Sequence, residues 1–494
     1  MATLSGGTGL IASVGRKLNA RFPGTLNLSL RQGVWHLLQG SLAGRGLGFG
    51  LNLLLSRSLG PTGLGLFSLV LTTCQTFELS ARGGVDYGLS CELTGSGSQR
   101  SEAQKASVAE SALRLVQLST VVLGIALWLW VVPFEGLLPI GLRSSRQAAA
   151  MALIAIAGLE SLAALPWDLL IISGDTKRVA LRQGFFAPLK LLMALIGTNA
   201  FGVTGALGGY GVASAAQLLW LQQKCRPLWP WPKRFWPNWK QAWVLLHSGI
   251  GLYGTNALAG LVFLPLVSEV ARDSGVAEVG YLRVGQIMVQ LFTLLPGALT
   301  PLLFFRLRTN SGDTRQEDFE LSLGLIWCIG LTALLVYTFL DKSIILLFFG
   351  QSYLPSLQPT RLLVLMAVLD SINQVLHTPL LAARNTRLFA ISQNSGAFAA
   401  AIMGWWLIPS LGLQGFLIAK LCFSVIPILI YLIEGWSRFQ QARMVQLLIL
   451  ATLAITPLCW WPSKNSLLAS ILSSIAIVIL ILEGRPLLNH LQKK

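Results

Sequence analysis

Apolar runs of about 20 residues recur along the whole chain, and this feature restricts its fold more than any other. A helix of that length matches the hydrocarbon core of a bilayer. Hydrophobic residues make up 53% of the 494 residues, charged residues make up 12%, and the mean hydropathy is +0.64. In lipid, a helix satisfies its own backbone hydrogen bonds, whereas an irregular segment leaves them unmade. The sequence therefore predicts an all-α polytopic membrane protein with about 14 transmembrane helices.

Basic residues are distributed unevenly between the two sides that these helices define. With the N-terminus inside, 25 of the 37 Lys and Arg residues fall in cytoplasmic segments and six fall in outer segments. Cytoplasmic loops of membrane proteins carry such an excess. This bias explains the formal charge of +17 without a nucleic-acid partner. We therefore predict a multi-pass protein of the cytoplasmic (inner) membrane of a bacterium, with both termini cytoplasmic.

A basic stretch rich in tryptophan and proline, residues 224–243, separates two groups of apolar runs. Repeated prolines oppose a regular helix, and tryptophan beside Lys and Arg favours the headgroup level of the cytoplasmic leaflet. We interpret it as an interfacial linker. The predicted domains are a cytoplasmic segment 1–31, a six-helix bundle 32–223, the linker 224–243, a six-helix bundle 244–434, and a C-terminal helix pair with a cytoplasmic tail 435–494.

The two predicted bundles show weak self-similarity at an offset of about 210 residues. Residues 201–207 match residues 411–417 with both glycines in register, and the turn 175–177 matches 385–387. His36 and Gly40 match His247 and Gly251 at an offset of 211. Because six helices per unit is an even number, the two units would share one orientation about a pseudo-two-fold axis along the membrane normal. Chance similarity among glycine-rich helices is the alternative.

Four basic residues within the predicted spans are candidates for substrate binding: Arg45, Lys190, Arg283 and Lys420. A charge at the bilayer centre costs at least about 2.5 kcal/mol, so such side chains usually face a protein interior or an aqueous cavity. Guanidinium and ammonium groups pair with phosphate oxygens. The alternative is a structural ion pair with Glu160, Asp370 or Glu78.

Acidic residues and histidines at depth are candidates for ion coupling or gating. They are Glu78, Asp86, Glu160, Asp168, Asp370, His36 and His247. Histidine can couple protonation to movement, and carboxylates can hold a cation or pair across a gate. The alternatives are a hydrogen-bonded structural histidine, helix capping and loop solvation.

Enzyme chemistry finds no support in the sequence. There is no Walker GxxxxGK[ST] motif, and Ser, His and Asp residues form no recognisable triad. The six cysteines have no paired spacing, so neither a disulfide framework nor a metal site is predicted, and no cofactor is expected. The first thirty residues lack an adequate apolar core, so no cleaved signal peptide is expected.

Two motifs resemble a known family. The segment SRSLGPTGLGLFSLV, residues 56–70, resembles the junction between the first two helices of polysaccharide-exporting flippases, and GGVDYGLS, residues 83–90, resembles the end of their second helix. The similarity is to Wzx-type lipid-linked oligosaccharide flippases of the multidrug/oligosaccharidyl-lipid/polysaccharide (MOP) superfamily, and it covers roughly residues 31–434. It implies two six-helix bundles, a V-shaped central cavity and alternating access. Lipid-II flippase relatives carry cavity arginines in the first and eighth helices, which Arg45 and Arg283 match by helix.

The sequence is thus best interpreted as a flippase that moves polyprenyl-pyrophosphate-linked saccharide for polysaccharide biosynthesis. The alternatives are a cation-coupled multidrug or metabolite exporter of the same superfamily and an integral-membrane glycosyltransferase or polymerase. Expected partners are the lipid-linked saccharide, membrane lipid, H⁺ or Na⁺ as coupling ion, and the polysaccharide polymerase and glycosyltransferases. No nucleic acid is expected.

Overall fold

The computed structural model describes residues 28–94, 102–131, 146–173, 175–225, 236–293, 313–382 and 386–435, and this part of the chain is helical without strands. Its α-helices are α1 (Leu28–Arg82), α2 (Val85–Thr94), α3 (Glu102–Val131), α4 (Arg146–Ile172), α5 (Thr176–Leu181), α6 (Ala187–Cys225), α7 (Trp239–Asp273), α8 (Val276–Phe292), α9 (Asp313–Phe348), α10 (Leu357–Ala382), α11 (Thr386–Leu411) and α12 (Leu413–Gly435). A π-helical turn (Arg182–Phe186) joins α5 to α6, and a 3₁₀ turn (Gln351–Ser356) precedes α10. Seven helices in the described ranges are long and apolar enough to cross a membrane.

Two of the long helices are each broken into two arms. In α1 the break falls at Gly60, whose φ of 65° is left-handed, and Pro61 follows it. In α6 it falls at Phe201 and Gly202, where Gly202 has a φ of 61°. Proline removes a backbone donor, and glycine adopts a left-handed conformation without strain. The apolar runs of the sequence predict a separate span on each side of both breaks: 32–56 and 62–81 around the first, and 179–198 and 203–223 around the second.

We keep the name first bundle for α1 to α6 and second bundle for α7 to α12, after the two units expected from the sequence. Apolar clusters also cross between them: Leu64 and Leu69 of α1 belong to the large cluster built mainly from α7 to α12, and Ala242 and Leu245 of α7 belong to a cluster built mainly from α2 to α4. Within the first bundle, the first arm of α1 packs closely on the segment before α6. A Cβ atom at Gly44 would lie 2.1 Å from the Gln183 carbonyl oxygen. This close approach is possible because glycine has no side chain to separate the two helices.

Equivalent glycines shape one turn in each bundle. Gly202 and Gly412, 210 residues apart, both have left-handed φ, of 61° and 55°. Three residues later, a Cβ at Gly205 would lie 2.0 Å from a backbone oxygen of the preceding arm, and a Cβ at Gly415 would lie 2.5 Å from Leu407. Close packing of this kind requires glycine, because any side chain would collide with backbone. The repeat offset in the sequence therefore coincides with repeated local geometry.

The linker differs from its prediction at its C-terminal end. Helix α7 begins at Trp239, inside the stretch 224–243 that we expected to be non-helical. The reason is an N-cap after the last proline, since the Asn238 side chain accepts a hydrogen bond from the Lys240 amide at 3.2 Å. Trp236, Trp239 and Trp243 are exposed, as residues at a headgroup level would be. Three stretches lie outside the described residues: 1–27, with most of the predicted N-terminal segment, 226–235, with half of the linker, and 436–494, with the final predicted helix pair.

Candidate functional site

The bundles meet at two glycine contacts. At the first, a Cβ at Gly65 on α1 would lie 2.0 Å from the Val276 carbonyl oxygen, and a Cβ at Gly280 on α8 would lie 2.0 Å from that of Pro61. We call this the Gly65–Gly280 contact. Each glycine thus faces backbone of the opposite bundle, which brings α1 and α8 as close as helices can come. The first family-like motif, residues 56–70, supplies one half of this contact.

The second contact has the same construction. A Cβ at Gly88 on α2 would lie 2.0 Å from the Leu245 carbonyl oxygen, and a Cβ at Gly249 on α7 would lie 1.9 Å from that of Gly84. We call this the Gly88–Gly249 contact. Gly83 and Gly84 have φ of 56° and 83°, which allows the turn between α1 and α2. The second family-like motif, residues 83–90, forms this turn.

The two contacts lie on opposite sides of the predicted membrane. Gly65 and Arg82, the last residue of α1 and a neighbour of the Gly88–Gly249 contact, are 17 residues apart in one helix, a rise of about 26 Å at 1.5 Å per residue. That distance is close to the thickness of a bilayer core. A V-shaped cavity was expected, with the bundles apart on one side. Here they touch on both sides, because glycines at both levels remove the side chains that would hold them apart.

One face of the first arm of α1 lies against the second bundle. Arg45, Phe49, Leu53 and Arg57 are spaced four residues apart, so they form one stripe along the helix. We call it the α1 stripe. Phe49 and Leu53 pack on the apolar core of the second bundle. The stripe places both of its arginines between the bundles rather than toward the core of their own bundle.

Arg45, one of the four predicted substrate-binding residues, reaches across the interface. Its Nη1 donates to the Thr293 carbonyl oxygen at 3.2 Å, just after the end of α8. The side chain is exposed, and no carboxylate pairs with it in the part of the chain that the structure describes. A guanidinium has five N–H donors, so this single bond leaves others available to an anion.

Arg283 also lies at the interface, on α8. Its Nη1 donates to Gln286 on the same helix at 3.2 Å, and its Nε is buried without a hydrogen-bond acceptor. Tyr210 of the first bundle lies within electrostatic range. Among the described residues no carboxylate pairs with Arg283. A buried guanidinium with an unmade bond is costly, and an anionic ligand would satisfy it.

Lys190 has a different environment, because it is paired. Its Nζ lies 2.6 and 2.7 Å from the two carboxylate oxygens of Glu160, and both side chains are buried. The Ser214 hydroxyl donates to the same carboxylate. The ammonium group also lies 5.4 Å from the centre of the Tyr210 ring. This is the ion pair with Glu160 that we weighed as the alternative for an intramembrane lysine.

Lys420 is held more loosely in the second bundle. Its Nζ lies 5.0 Å from the centre of the Phe263 ring, and within the described residues no carboxylate oxygen comes within 4.0 Å of it. Asp370 is within hydrogen-bonding reach of Ser424 and within electrostatic range of Lys420. Glu160 and Ser214 precede Asp370 and Ser424 by 210 residues each. The two bundles therefore carry an acid and a serine at equivalent places, but only the first bundle closes a tight ion pair there within the described residues.

Three of the predicted gating acids converge on Arg82, which was not among the candidate residues predicted from the sequence. Arg82 lies 3.1 Å from Glu78, 3.1 Å from Asp86 and 3.7 Å from Asp168. The spacing Glu78–Arg82–Asp86 places both acids one helical turn away, which is the signal that could have found the cluster. Because Arg82 directly precedes the Gly83–Gly84 turn, the cluster lies beside the Gly88–Gly249 contact.

Arg182 was also missed. It opens the π-helical turn, and its guanidinium lies 4.2 Å from the centre of the Trp167 ring. Turns of this type often occur at functional sites. The two predicted histidines add no described contact to the site. His247 is exposed on α7, and the side chain of His36 lies outside the described part.

The fold has known relatives among solved structures. No family model and no curated protein sequence matches the chain. The structure "Lipid II flippase MurJ, inward closed conformation" is 14% identical with a TM-score of 0.68, over 92% of this chain and 98% of that chain. An inward-facing multidrug resistance MATE family transporter of the MOP superfamily is 15% identical with a TM-score of 0.59, over 82% and 94%. A MOP superfamily transporter from Pyrococcus furiosus is 15% identical with a TM-score of 0.56, over 84% of this chain and 96% of that chain.

This chain shares its fold with these solved structures. At 14–15% identity the likeness establishes the architecture of a multi-pass helical membrane protein and nothing about substrate.

Proposed function

We propose that this protein is a Wzx-type flippase that moves polyprenyl-pyrophosphate-linked saccharide across the cytoplasmic membrane of a bacterium by alternating access. The observation that carries the proposal is the pair Arg45 and Arg283. They are two guanidinium groups at the interface between the bundles, with no carboxylate paired to either among the described residues. A pyrophosphate carries several charged oxygens and suits two such cations.

The other predicted cations differ in how free they are to join this site. Lys190 is neutralised by Glu160, so in our proposal it stabilises the first bundle and leaves anion binding to the arginines. Lys420 rests on Phe263 and can serve as a further cation when a ligand is present. The acidic residues Glu78, Asp86 and Asp168 are occupied with Arg82, which favours a gate over a binding site for a cationic drug.

Alternating access is the mechanism we propose because the bundles touch at two separate levels, each built on a close approach of glycine to backbone. In our proposal one contact separates while the other stays closed. Opening one while the other stays closed would expose the arginines to one side of the membrane at a time. The neighbouring MurJ structure, a lipid II flippase, agrees in fold with this proposal.

The decisive test is substitution of Arg45. Arg45→Ala should abolish export of the lipid-linked glycan at wild-type protein abundance, and Arg45→Lys should retain part of it because charge is kept while bidentate geometry is lost. The readout is the amount of lipid-linked glycan that accumulates on the cytoplasmic face. Arg272→Ala is the matched control, since Arg272 is exposed and pairs with Glu269 and Asp273 on its own helix. Normal export by Arg45→Ala would refute the proposed anion site.

A further inference from the structure

An apolar cavity of about 530 Å³ lies between α8 and α9 of the second bundle. Its walls include Met288 and Phe292 from α8 and Cys328, Ile329, Ala333 and Val336 from α9. The volume falls in the range of small-molecule sites in proteins. The proposed alternating-access mechanism makes no use of this space.

The α1 stripe connects this cavity to the proposed anion site. Phe292 lines the cavity, and the next residue, Thr293, is the one whose carbonyl accepts the hydrogen bond from Arg45. At the other end, Phe348 lines the cavity, packs edge-on against Phe49 with ring centres 6.0 Å apart, and accepts a hydrogen bond from Arg57 at 2.8 Å. An arginine of the first bundle thus stands at each end of an apolar space in the second.

The cavity is also accessible from the side. Ile329 and Val336 on α9 line it and are exposed, so they face either lipid or a neighbouring apolar group. A hydrocarbon chain could enter here without crossing polar surface. Its charged end would then meet Arg45 rather than the bilayer interior, where an unpaired charge is costly.

We propose that this cavity holds the isoprenoid chain of the lipid-linked pyrophosphate whose head group binds at Arg45. The inference rests on the proposed function and adds the place of the lipid anchor. Between two apolar media the driving force is close packing, so a cavity of defined shape selects a branched chain over a straight acyl chain. The pyrophosphate then binds at Arg45, beside the C-terminal end of α8, and the isoprenoid chain binds along the same helix.

The test compares two diphosphates that share a head group. Dimethylallyl diphosphate carries a five-carbon chain and farnesyl diphosphate a fifteen-carbon chain. A side chain that fills the cavity should therefore weaken the binding of farnesyl diphosphate only. The protein is purified at full length in phosphatidylcholine nanodiscs, and binding is measured by calorimetry. We expect Ala333→Phe to raise the Kd for farnesyl diphosphate about tenfold. Dimethylallyl diphosphate should be unaffected. Leu340→Phe is the matched control, because Leu340 is exposed on the same helix and is not part of the cavity wall.

The outcomes separate this proposal from the one it rests on. If Ala333→Phe leaves farnesyl diphosphate binding intact while Arg45→Ala weakens both ligands, the head-group site stands and the cavity holds membrane lipid or another part of the chain. If neither ligand binds to the wild-type protein, the proposed function fails and the lipid-anchor site fails with it. Should Ala333→Phe not fold, Thr332→Trp at the exposed rim of the cavity gives the same comparison.

Discussion

The two inter-bundle contacts share a backbone design but differ in what reinforces them. Beside the Gly65–Gly280 contact, Arg57 donates to the carbonyl oxygens of Leu347 and Phe348 at the end of α9, and the Tyr353 hydroxyl donates to the Ser56 carbonyl oxygen at 2.6 Å. A charged donor on the unsatisfied carbonyls of a helix end is a strong arrangement.

The hydrogen bonds described between α3 and α7 beside the Gly88–Gly249 contact join neutral groups. Ser107 and Ser111 on α3 both donate to the Gln241 side-chain oxygen on α7, at 3.2 and 2.7 Å. Neutral hydrogen bonds contribute about half as much as charge-assisted ones. From these described bonds we expect the Gly88–Gly249 contact to be the weaker of the two. In the predicted orientation it lies on the cytoplasmic side, so we expect this structure to open inward first.

The largest effect should come from Gly65→Ala. The new methyl group would meet backbone of α8, so closing this contact would cost about 2 kcal/mol and reduce the closed population roughly 30-fold. Electron–electron distance measurements between spin labels at Ser58 and Leu347 should lengthen, and transport should fall with them. Gly50→Ala is the control on the same helix, since its Cβ meets no atom within 4 Å. An unchanged distance would show that α8 shifts to accommodate the methyl group without a measurable loss of the closed population.

Gly249→Ala should have the converse effect on the opposite side. Labels at Gln104 and Lys240 should move apart while the Ser58–Leu347 distance is unchanged. We expect a somewhat smaller shift, about 10-fold, because the ten-residue helix α2 follows a flexible Gly83–Gly84 turn and can adjust. Gly208→Ala is the control, with open space at its Cβ. If both label pairs lengthen together, the contacts are not independent.

Arg57→Ala tests the hydrogen bonds from the Arg57 guanidinium that reinforce the Gly65–Gly280 contact. It removes donors from two helix-end carbonyls at an exposed position, so the Gly65–Gly280 contact should weaken by about 1 kcal/mol, a population shift of roughly fivefold. Tyr353→Phe should give a similar shift through the loss of one buried bond. If Arg57→Ala leaves the Ser58–Leu347 distance distribution intact, the glycines alone close this side.

Gln241→Leu should have the smallest effect. The Ser111 hydroxyl keeps its bond to the Ser107 carbonyl oxygen at 2.9 Å, so the net loss should be about 0.5 kcal/mol, roughly a twofold shift. The Gln104–Lys240 distance distribution measures it. A shift larger than that of Arg57→Ala would reverse the ranking of the two contacts.

Much of the architecture followed from local patterns. Gly60–Pro61 and Phe201–Gly202 separate apolar runs, and the structure breaks α1 and α6 at these residues because glycine and proline act on the backbone where they stand. The start of α7 was predicted less well. Trp239 and the residues after it are helical because Asn238 caps the helix. The cap is a local signal in the sequence, but our prediction gave more weight to the prolines that precede it.

The candidate site was only partly predictable. An intramembrane charge is visible in the sequence because its cost there does not depend on its neighbours. The partner of such a charge is not visible in the sequence. Lys190 and Glu160 are 30 residues apart, and Lys420 has no tight partner among the described residues.

The sequence by itself determined that this chain is a helical membrane protein, where its helices break, and which residues carry charge into the bilayer. Each of these follows from hydrophobic length, backbone stereochemistry or desolvation, which act residue by residue. The tertiary structure decided which cations are neutralised and which face the other bundle. It also decided that glycines 65, 88, 249 and 280 mark inter-bundle contacts, unlike Gly46 and Gly50. Those outcomes depend on how helices approach one another in space, and close approach leaves no periodic mark along the chain.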